Sequence, residues 1–396
     1  MRDENKGSSP SAHRRATTIV RGGLDPKGFH GFVNPPVVHA STVLFPDVET
    51  MQSRGQKYTY GRSGTPTTDA LVALVNSLEG SENTVLAPTG LAACTIALGA
   101  VVNAGDHVVV IDNIYHPTRA FCDRFLSRFG IETTYVDPNN IADMEKALAR
   151  PTAAVFLEAP GSLTFEMVDI PLLAKMARDA GAVSIMDNTW ATPVYFRPLD
   201  FGVDLSVQAA TKYFAGHSDI LLGTISGNGE LIAKVRACWD EWGMHVAPDD
   251  VYQTLRGMRT LDVRLERHQR NARLVSEWLS ANPLVDRVLY PALPDAPGHA
   301  IWKRDFSGAT GLMGISFVDR PPEAAVKFVN SLSLFGIGAS WGGFESLVTL
   351  PKLDTIRTAR PWPANETVVR LHIGLEDPAD LIEDLDQALA ASGLAG

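Results

Sequence analysis

Lys212 is the residue whose setting first asks for a chemical explanation. In residues 203–219, VDLSVQAATKYFAGHSD, it follows Val203, Leu205, Val207, Ala209 and Ala210. Those apolar positions read as a short buried strand bounded by Gly202 and Gly216. Lysine is rarely buried without a partner. An amine at the end of such a strand either snorkels to water or is desolvated, with a lowered pKa, and able to act as a Schiff-base nucleophile. Residues 182–190, AVSIMDNTW, form a second apolar strand ending in a carboxylate, Asp187. Ligands of open α/β sheets sit at the carboxyl ends of parallel strands. Two strands delivering opposite charges there would suit a cofactor whose ring accepts electrons.

The elements that must position these residues follow a recognisable rhythm. Strands are expected near residues 84–87, 107–112, 133–136, 153–158, 182–187, 205–209 and 224–226, alternating with helices near 92–103, 119–129, 141–149 and 171–180. Such alternation predicts a mostly parallel sheet covered by helices on both faces. Residues 88–91, PTGL, read as the turn before the 92–103 helix, and residues 67–78 as an amphipathic helix started by Thr or Asp. Beyond about Arg259 the pattern changes to a long charged helix at 261–281, then short strands at 287–290, 314–317 and 369–373, with helices near 322–331 and 378–392. The expected organisation is a tail and arm (1–66), a large cofactor-binding domain (67–258) and a smaller α+β domain (259–396). Residues 1–15 read as a disordered tail, and 17–45, rich in Gly and Pro, as an extended arm of the kind that crosses onto a neighbouring subunit.

Composition narrows the partners. The chain has 396 residues, 45% of them apolar, and a net charge of −10, which argues against nucleic acid or an anionic membrane surface. Cys94, Cys122 and Cys238 have no metal or disulfide spacing and suit a reducing cytoplasm. The polar N-terminus has no apolar signal region, and the apolar runs are too short to span a bilayer. No H-E-x-x-H or other metal spacing is present.

DNTWATP with Asp187, followed by SVQAATKYFAGHSD with Lys212, resembles the Cys/Met-metabolism family of pyridoxal phosphate (PLP) enzymes. HGFVNPPVVHASTVLFP, YTYGRSGTPTT, LEAPGSLTFE, RDFSGATGL, SWGGFESL and RLHIGLED extend the resemblance from about Gly31 to about Leu389. The resemblance implies the aspartate-aminotransferase type of PLP fold (fold type I). It also implies a soluble homotetramer built from active dimers, and cleavage of a cystathionine-like thioether to a thiol, pyruvate and ammonia. By resemblance, Lys212 carries the cofactor, Asp187 holds the proton on its ring nitrogen and Tyr115 stacks on the ring. Gly90, Leu91 and Thr211 match phosphate ligands, and Tyr60 and Arg62 match a pair reaching the phosphate of the neighbouring subunit's cofactor. Arg370 matches the clamp for the substrate α-carboxylate, and Ser340 and Trp341 match the loop lining the substrate side. Trp341 points to the β-lyase branch. Ala209, Ala339 and Asp240 depart from the pattern. The first stands where relatives often have Ser, and the other two stand where β-lyases or relatives place Tyr.

Two other readings compete. Within the family, the same first steps lead to γ-elimination, γ-replacement or carbon–carbon bond formation. Outside it, Gly338-Ala339-Ser340-Trp341-Gly342 fits G-x-S-x-G, with Asp354 and His372 following in hydrolase order. That motif needs a helix after the serine, whereas WGGFESLVTL reads as loop then strand.

Overall fold

A computed structural model describes residues 13–353 and 356–393. Of the tail expected at 1–15, residues 1–12 lie outside the described residues, and Arg15 already starts a helix, Arg15–Arg21. That helix corrects the reading of 17–45 as extended from its first residue. Its stability is not local. Ile19 is fully buried, and Arg259 Nη1 donates to the carbonyls of Ile19, Val20 and Gly22 at 2.7–3.1 Å. A distant guanidinium thus satisfies helix-end carbonyls that a short helix cannot satisfy itself.

The helix expected at 67–78 spans Pro66–Glu79. Its cap lies earlier than expected, at Thr65, which forms a capping box with Thr68 and is followed by Pro66. Ala70, Leu71, Leu74, Val75 and Leu78 make its buried stripe.

Seven strands form the larger sheet: β1 (Asn83–Ala87), β2 (His107–Ile111), β3 (Glu132–Val136), β4 (Ala154–Glu158), β5 (Val183–Asp187), β6 (Leu205–Gln208) and β7 (Gly223–Gly227). Their spatial order is β1-β7-β6-β5-β4-β2-β3. Strands β2 to β6 pair in parallel, and β7 runs antiparallel to both β6 and β1. The runs HVVVI of β2 and AVFL of β4 are buried throughout, as strands covered on both faces must be. Because β3 lies outside β2 and β4 inside it, the connections reverse direction between β2 and β4. That reversal opens a crevice at the carboxyl ends of the strands.

The second sheet holds β8 (Arg287–Leu289), β9 (Leu312–Val318), β10 (Gly336–Ile337), β11 (Leu347–Thr349) and β12 (Glu366–His372), in the order β10-β11-β12-β9-β8. Helices Pro322–Ser331 and Pro378–Ala391 cover it, and the 21-residue helix Leu261–Ala281 packs between it and the first sheet's layer. Among the described residues no helix is long and apolar enough to cross a membrane.

The two sheets are tied at the crevice. Asp112, directly after β2, takes the backbone N–H groups of Thr358, Ala359 and Arg360 at 2.9–3.1 Å, and Arg119 Nη1 at 2.6 Å. Burial pushes this carboxyl up, but those donors outweigh it and hold it below the usual carboxylate range. Asp112→Asn takes from Arg119, whose side chain is 6% exposed, its close counter-charge and leaves only the Asp123 carboxylate at 3.8 Å, a loss of about 3 kcal/mol by urea denaturation. A carboxylate with a depressed pKa stabilises the fold above its ordinary titration near pH ~4 and loses that contribution on acidification. The wild type is therefore expected to approach the variant's stability below that pH.

Candidate active site

Most of the polar groups of the crevice arrive from the carboxyl ends of strands of the larger sheet. Gly90 follows β1, Tyr115 follows β2, Glu158 ends β4, Asp187 ends β5, and Lys212 comes four residues after β6. They line a cavity of about 400 Å³, together with Leu91, Cys94, Thr211, Trp341 and Arg370.

Among the described residues no carboxylate is bonded to the Lys212 amine. Its Nζ donates to Ser340 Oγ at 2.8 Å and lies 5.4 Å from the Trp341 ring centroid. Burial lowers its pKa to about 8, the Arg370 charge adds to that, and Asp187 opposes it. The geometry therefore favours the desolvated amine over the snorkelling one.

Asp187 is 8% exposed. Its Oδ1 accepts from Thr189 N at 3.0 Å and Thr189 Oγ1 at 2.5 Å, and the Cys94 thiol lies 3.8 Å from Oδ2. Burial raises its pKa. Opposite it in parallel register stands Glu158, a residue to which the sequence reading gave no role. Burial, then the Asp187 charge, push its carboxyl well above the usual range, and its Oε2 accepts from Tyr115 N at 2.7 Å. That bond spans the crevice between β2 and β4 and sets where Tyr115 leaves the sheet. The signal was present: AVFLE closes in an acid just as VSIMD does.

The candidate anion cradle lies at Gly90 and Leu91, where it was expected, but the helix it opens starts two residues early. The helix begins at Gly90, not Ala92, because Thr89 is its N-cap and accepts from Ala92 N at 3.0 Å. The N–H groups of Gly90 and Leu91 thereby point out of the first turn, with no protein acceptor among the described residues. A Cβ at Gly90 would collide with Ala209, so glycine is what lets the helix end approach the Lys212 strand. Thr211 is less free. Its hydroxyl donates to Leu222 O at 3.2 Å and accepts from Leu222 N at 3.0 Å, so donating to an anion would mean exchanging that bond.

Arg370 closes the other side. It is 7% exposed, and its Nη2 donates to the carbonyls of Ser340 at 2.9 Å and Gly338 at 3.2 Å. No ion pair forms on it among the described residues, and its Nε has no hydrogen-bond partner there. Burial lowers its pKa to about 10. A buried cation so placed calls for an anion.

Tyr60 and Arg62 are not brought to this cavity within one chain. Tyr60 is 48% exposed, and Arg62 pairs with Asp240 at 3.1 Å beside a separate depression walled by Trp239 and Arg236. The hydrolase arrangement does not form either. Ser340 accepts from Lys212, no helix follows it, and the His372 ring contacts the Gly342–Gly343 backbone. Asp354 lies outside the described residues.

The sequence pattern of the family described as "Cys/Met metabolism PLP-dependent enzyme" matches residues 16–390. The chain belongs to that family. It is 52% identical over 382 residues to a protein named putative cystathionine beta-lyase from Rhizobium johnstonii, covering 95% of this chain and 96% of that one. It is 41% identical to cystathionine beta-lyase MetC of Escherichia coli, covering 94% and 98%. A solved structure of cystathionine gamma synthase from Xanthomonas oryzae pv. oryzae, in complex with aminoacrylate and cysteine, superposes with a TM-score of 0.89 at 31% identity, covering 97% and 99%. The fold is accordingly fold type I of the PLP-dependent enzymes, and this Cys/Met-metabolism enzyme uses pyridoxal 5'-phosphate. The cavity fits that group. Unpaired helix N–H groups suit a phosphate, a buried carboxylate suits a protonated ring nitrogen, and an amine of lowered pKa suits a carbonyl.

In cofactor-free enzyme, the Lys212 amine is charged below about pH 8 and neutral above it. Reductive methylation of Lys212, followed by peptide mass spectrometry, is expected to reach half its maximal rate near that pH. Arg370→Leu removes a repelling charge and moves the midpoint upward; an unmoved midpoint would leave burial as the sole cause.

Proposed function

We propose that this chain is a carbon–sulfur β-lyase that cleaves a cystathionine-like thioether amino acid to homocysteine, pyruvate and ammonia. The observation that carries the reading is the pairing of Lys212, desolvated and bonded to Ser340, with Arg370, buried and free of any ion pair among the described residues. The relatives named cystathionine beta-lyase support it at 52% and 41% identity.

When bound, pyridoxal 5'-phosphate supplies a carbonyl for an amine and a ring that accepts the electrons left as a Cα–H bond breaks. The chain's own residues do the rest. The N–H groups of Gly90 and Leu91 receive the phosphate, and Arg62 and Tyr60 reach it from the neighbouring subunit. Thr211 joins them if its bond to Leu222 is exchanged. With the cofactor bound, Asp187 would hold the proton on the ring nitrogen, and Tyr115, fixed by Glu158, would pack against the ring. Arg370 takes the α-carboxylate and thereby orients the Cα–H bond. Lys212 Nζ removes the Cα proton, which it can do near neutrality because its pKa has fallen to about 8. Its contact with Ser340 Oγ aims the lone pair, and Trp341 walls the substrate side. Lys212 or Tyr115 then protonates the departing thiolate, and water completes the products as pyruvate and ammonia.

The working unit is a dimer, paired into a tetramer, and the compartment is the cytoplasm. The separation of Arg62 from the Lys212 cavity within one chain supports shared sites. The three cysteines, all buried and unpaired, suit a reducing compartment.

Pyruvate release from L-cystathionine, followed with lactate dehydrogenase, tests the reaction. Lys212→Ala is expected to lower turnover by about 100- to 10,000-fold or more. Formation of 2-oxobutyrate and cysteine would replace the reading with γ-elimination, and no keto acid from any thioether would favour a biosynthetic replacement reaction. Mixing Arg62→Ala with Lys212→Ala subunits should restore activity, since each hybrid dimer holds one intact site; inactive hybrids of confirmed composition would refute the sharing.

A further inference from the structure

The loop of residues 338–343 brings Ser340 and Trp341 to Lys212, and it rests directly on that residue. Gly342 has φ +81°, and a Cβ there would lie 2.9 Å from Lys212 Cβ and from Tyr213 N. Backbone and amine are therefore in register: a small shift of the loop changes the 2.8 Å contact between Ser340 Oγ and Lys212 Nζ. Two side chains of β12, spaced i and i+2 and so on one face, hold the loop. Arg370 binds the carbonyls of Gly338 and Ser340. His372, fully buried, places Nε2 3.1 Å from Gly342 N and 3.2 Å from Gly343 O.

The two clamps differ in what substrate does to them. Arg370 lines the cavity, and under the function proposed above its guanidinium is shared with a carboxylate on every turnover. His372 faces the loop from behind, away from the cavity, and no substrate atom competes for it. Burial keeps its ring neutral, and the charged and titratable groups facing it, His268, Arg370 and Lys212, all disfavour a further proton. A neutral ring nitrogen either accepts from the Gly342 N–H or donates to the Gly343 carbonyl, so each tautomer keeps one bond to the loop.

We infer that His372 is a positioning residue for the reaction: it anchors the Ser340–Trp341 loop against Lys212 while Arg370 is occupied by substrate. It touches neither substrate nor cofactor and acts through Gly342 and Gly343. The kinetic part of this inference rests on the proposed role of Arg370, whereas the anchoring itself does not.

Hydrogen–deuterium exchange of the holoenzyme separates the two. In His372→Ala, amides of the 338–345 peptide should exchange about tenfold faster or more, the scale of one lost buried hydrogen bond, while peptides from β4 and β5 keep their wild-type rates. His372→Gln, whose amide offers both an acceptor and a donor, should restore slow exchange. His372→Asn, too short to reach the loop, should not, and it serves in place of Ala if that variant does not fold. In steady state with L-cystathionine, or with whichever thioether the enzyme cleaves, the Ala or Asn variant should lose kcat and the Gln variant should regain it. Unchanged loop exchange in the Ala or Asn variant overturns the inference. So does acceleration spread over all peptides, or a Gln variant no better than Asn. Loop exchange that changes as expected with kcat unmoved would keep the anchor and reject its role in the reaction.

Discussion

Desolvation of the Lys212 amine is the constraint on which the rest of the site depends. Taking an ammonium out of water is costly unless it is paired, and here the pairing is withheld. The bonded partner is a serine hydroxyl, Arg370 repels the charge, and Asp187 only partly offsets the repulsion. The neutral amine is the form that can attack a carbonyl or take a proton. The surroundings must then be rigid, because water reaching Nζ would restore the ordinary pKa.

That rigidity comes from the way the second sheet is set over the first. Strand β12 presents Arg370 and His372 to one loop, and Asp112 gathers the backbone of 358–360 onto the end of β2. Arg357 adds an ion pair to Glu166, with its own side chain buried. These bonds join the connection leading into β12 to the segments that follow β2 and β4. The strand ends of the first sheet and the loop held by β12 are thus fixed to the same crevice.

The carboxylates divide the labour by environment. Asp187 is given two donors from Thr189, which favour its charged form, whereas Glu158 has a single backbone donor and feels the Asp187 charge. Two neighbouring acids whose surroundings push them apart can hold one charge between them. Asp187, with its two donors, is the better placed to keep it, and Glu158 fixes the Tyr115 backbone.

The sequence by itself determined the strand–helix alternation, the two charged strand ends at Asp187 and Lys212, and the buried arginine of β12. These are local: apolar runs, caps and breakers act within a few residues. It also contained the motifs from which the family and its cofactor were legible. Only the tertiary structure decided the rest. The helix Arg15–Arg21 exists where an extended arm was expected, because Arg259 caps it from 237 residues away. Glu158 gained a role because β4 lies beside both β5 and β2. Thr211 turned its hydroxyl to Leu222, and Arg62 found Asp240 outside the Lys212 cavity. His372 read as a hydrolase candidate until the fold set its ring against a glycine pair. Each of these outcomes hangs on a hydrogen bond or ion pair that the fold makes, most of them between residues far apart in the chain, and such a bond leaves no periodicity for a sequence to show.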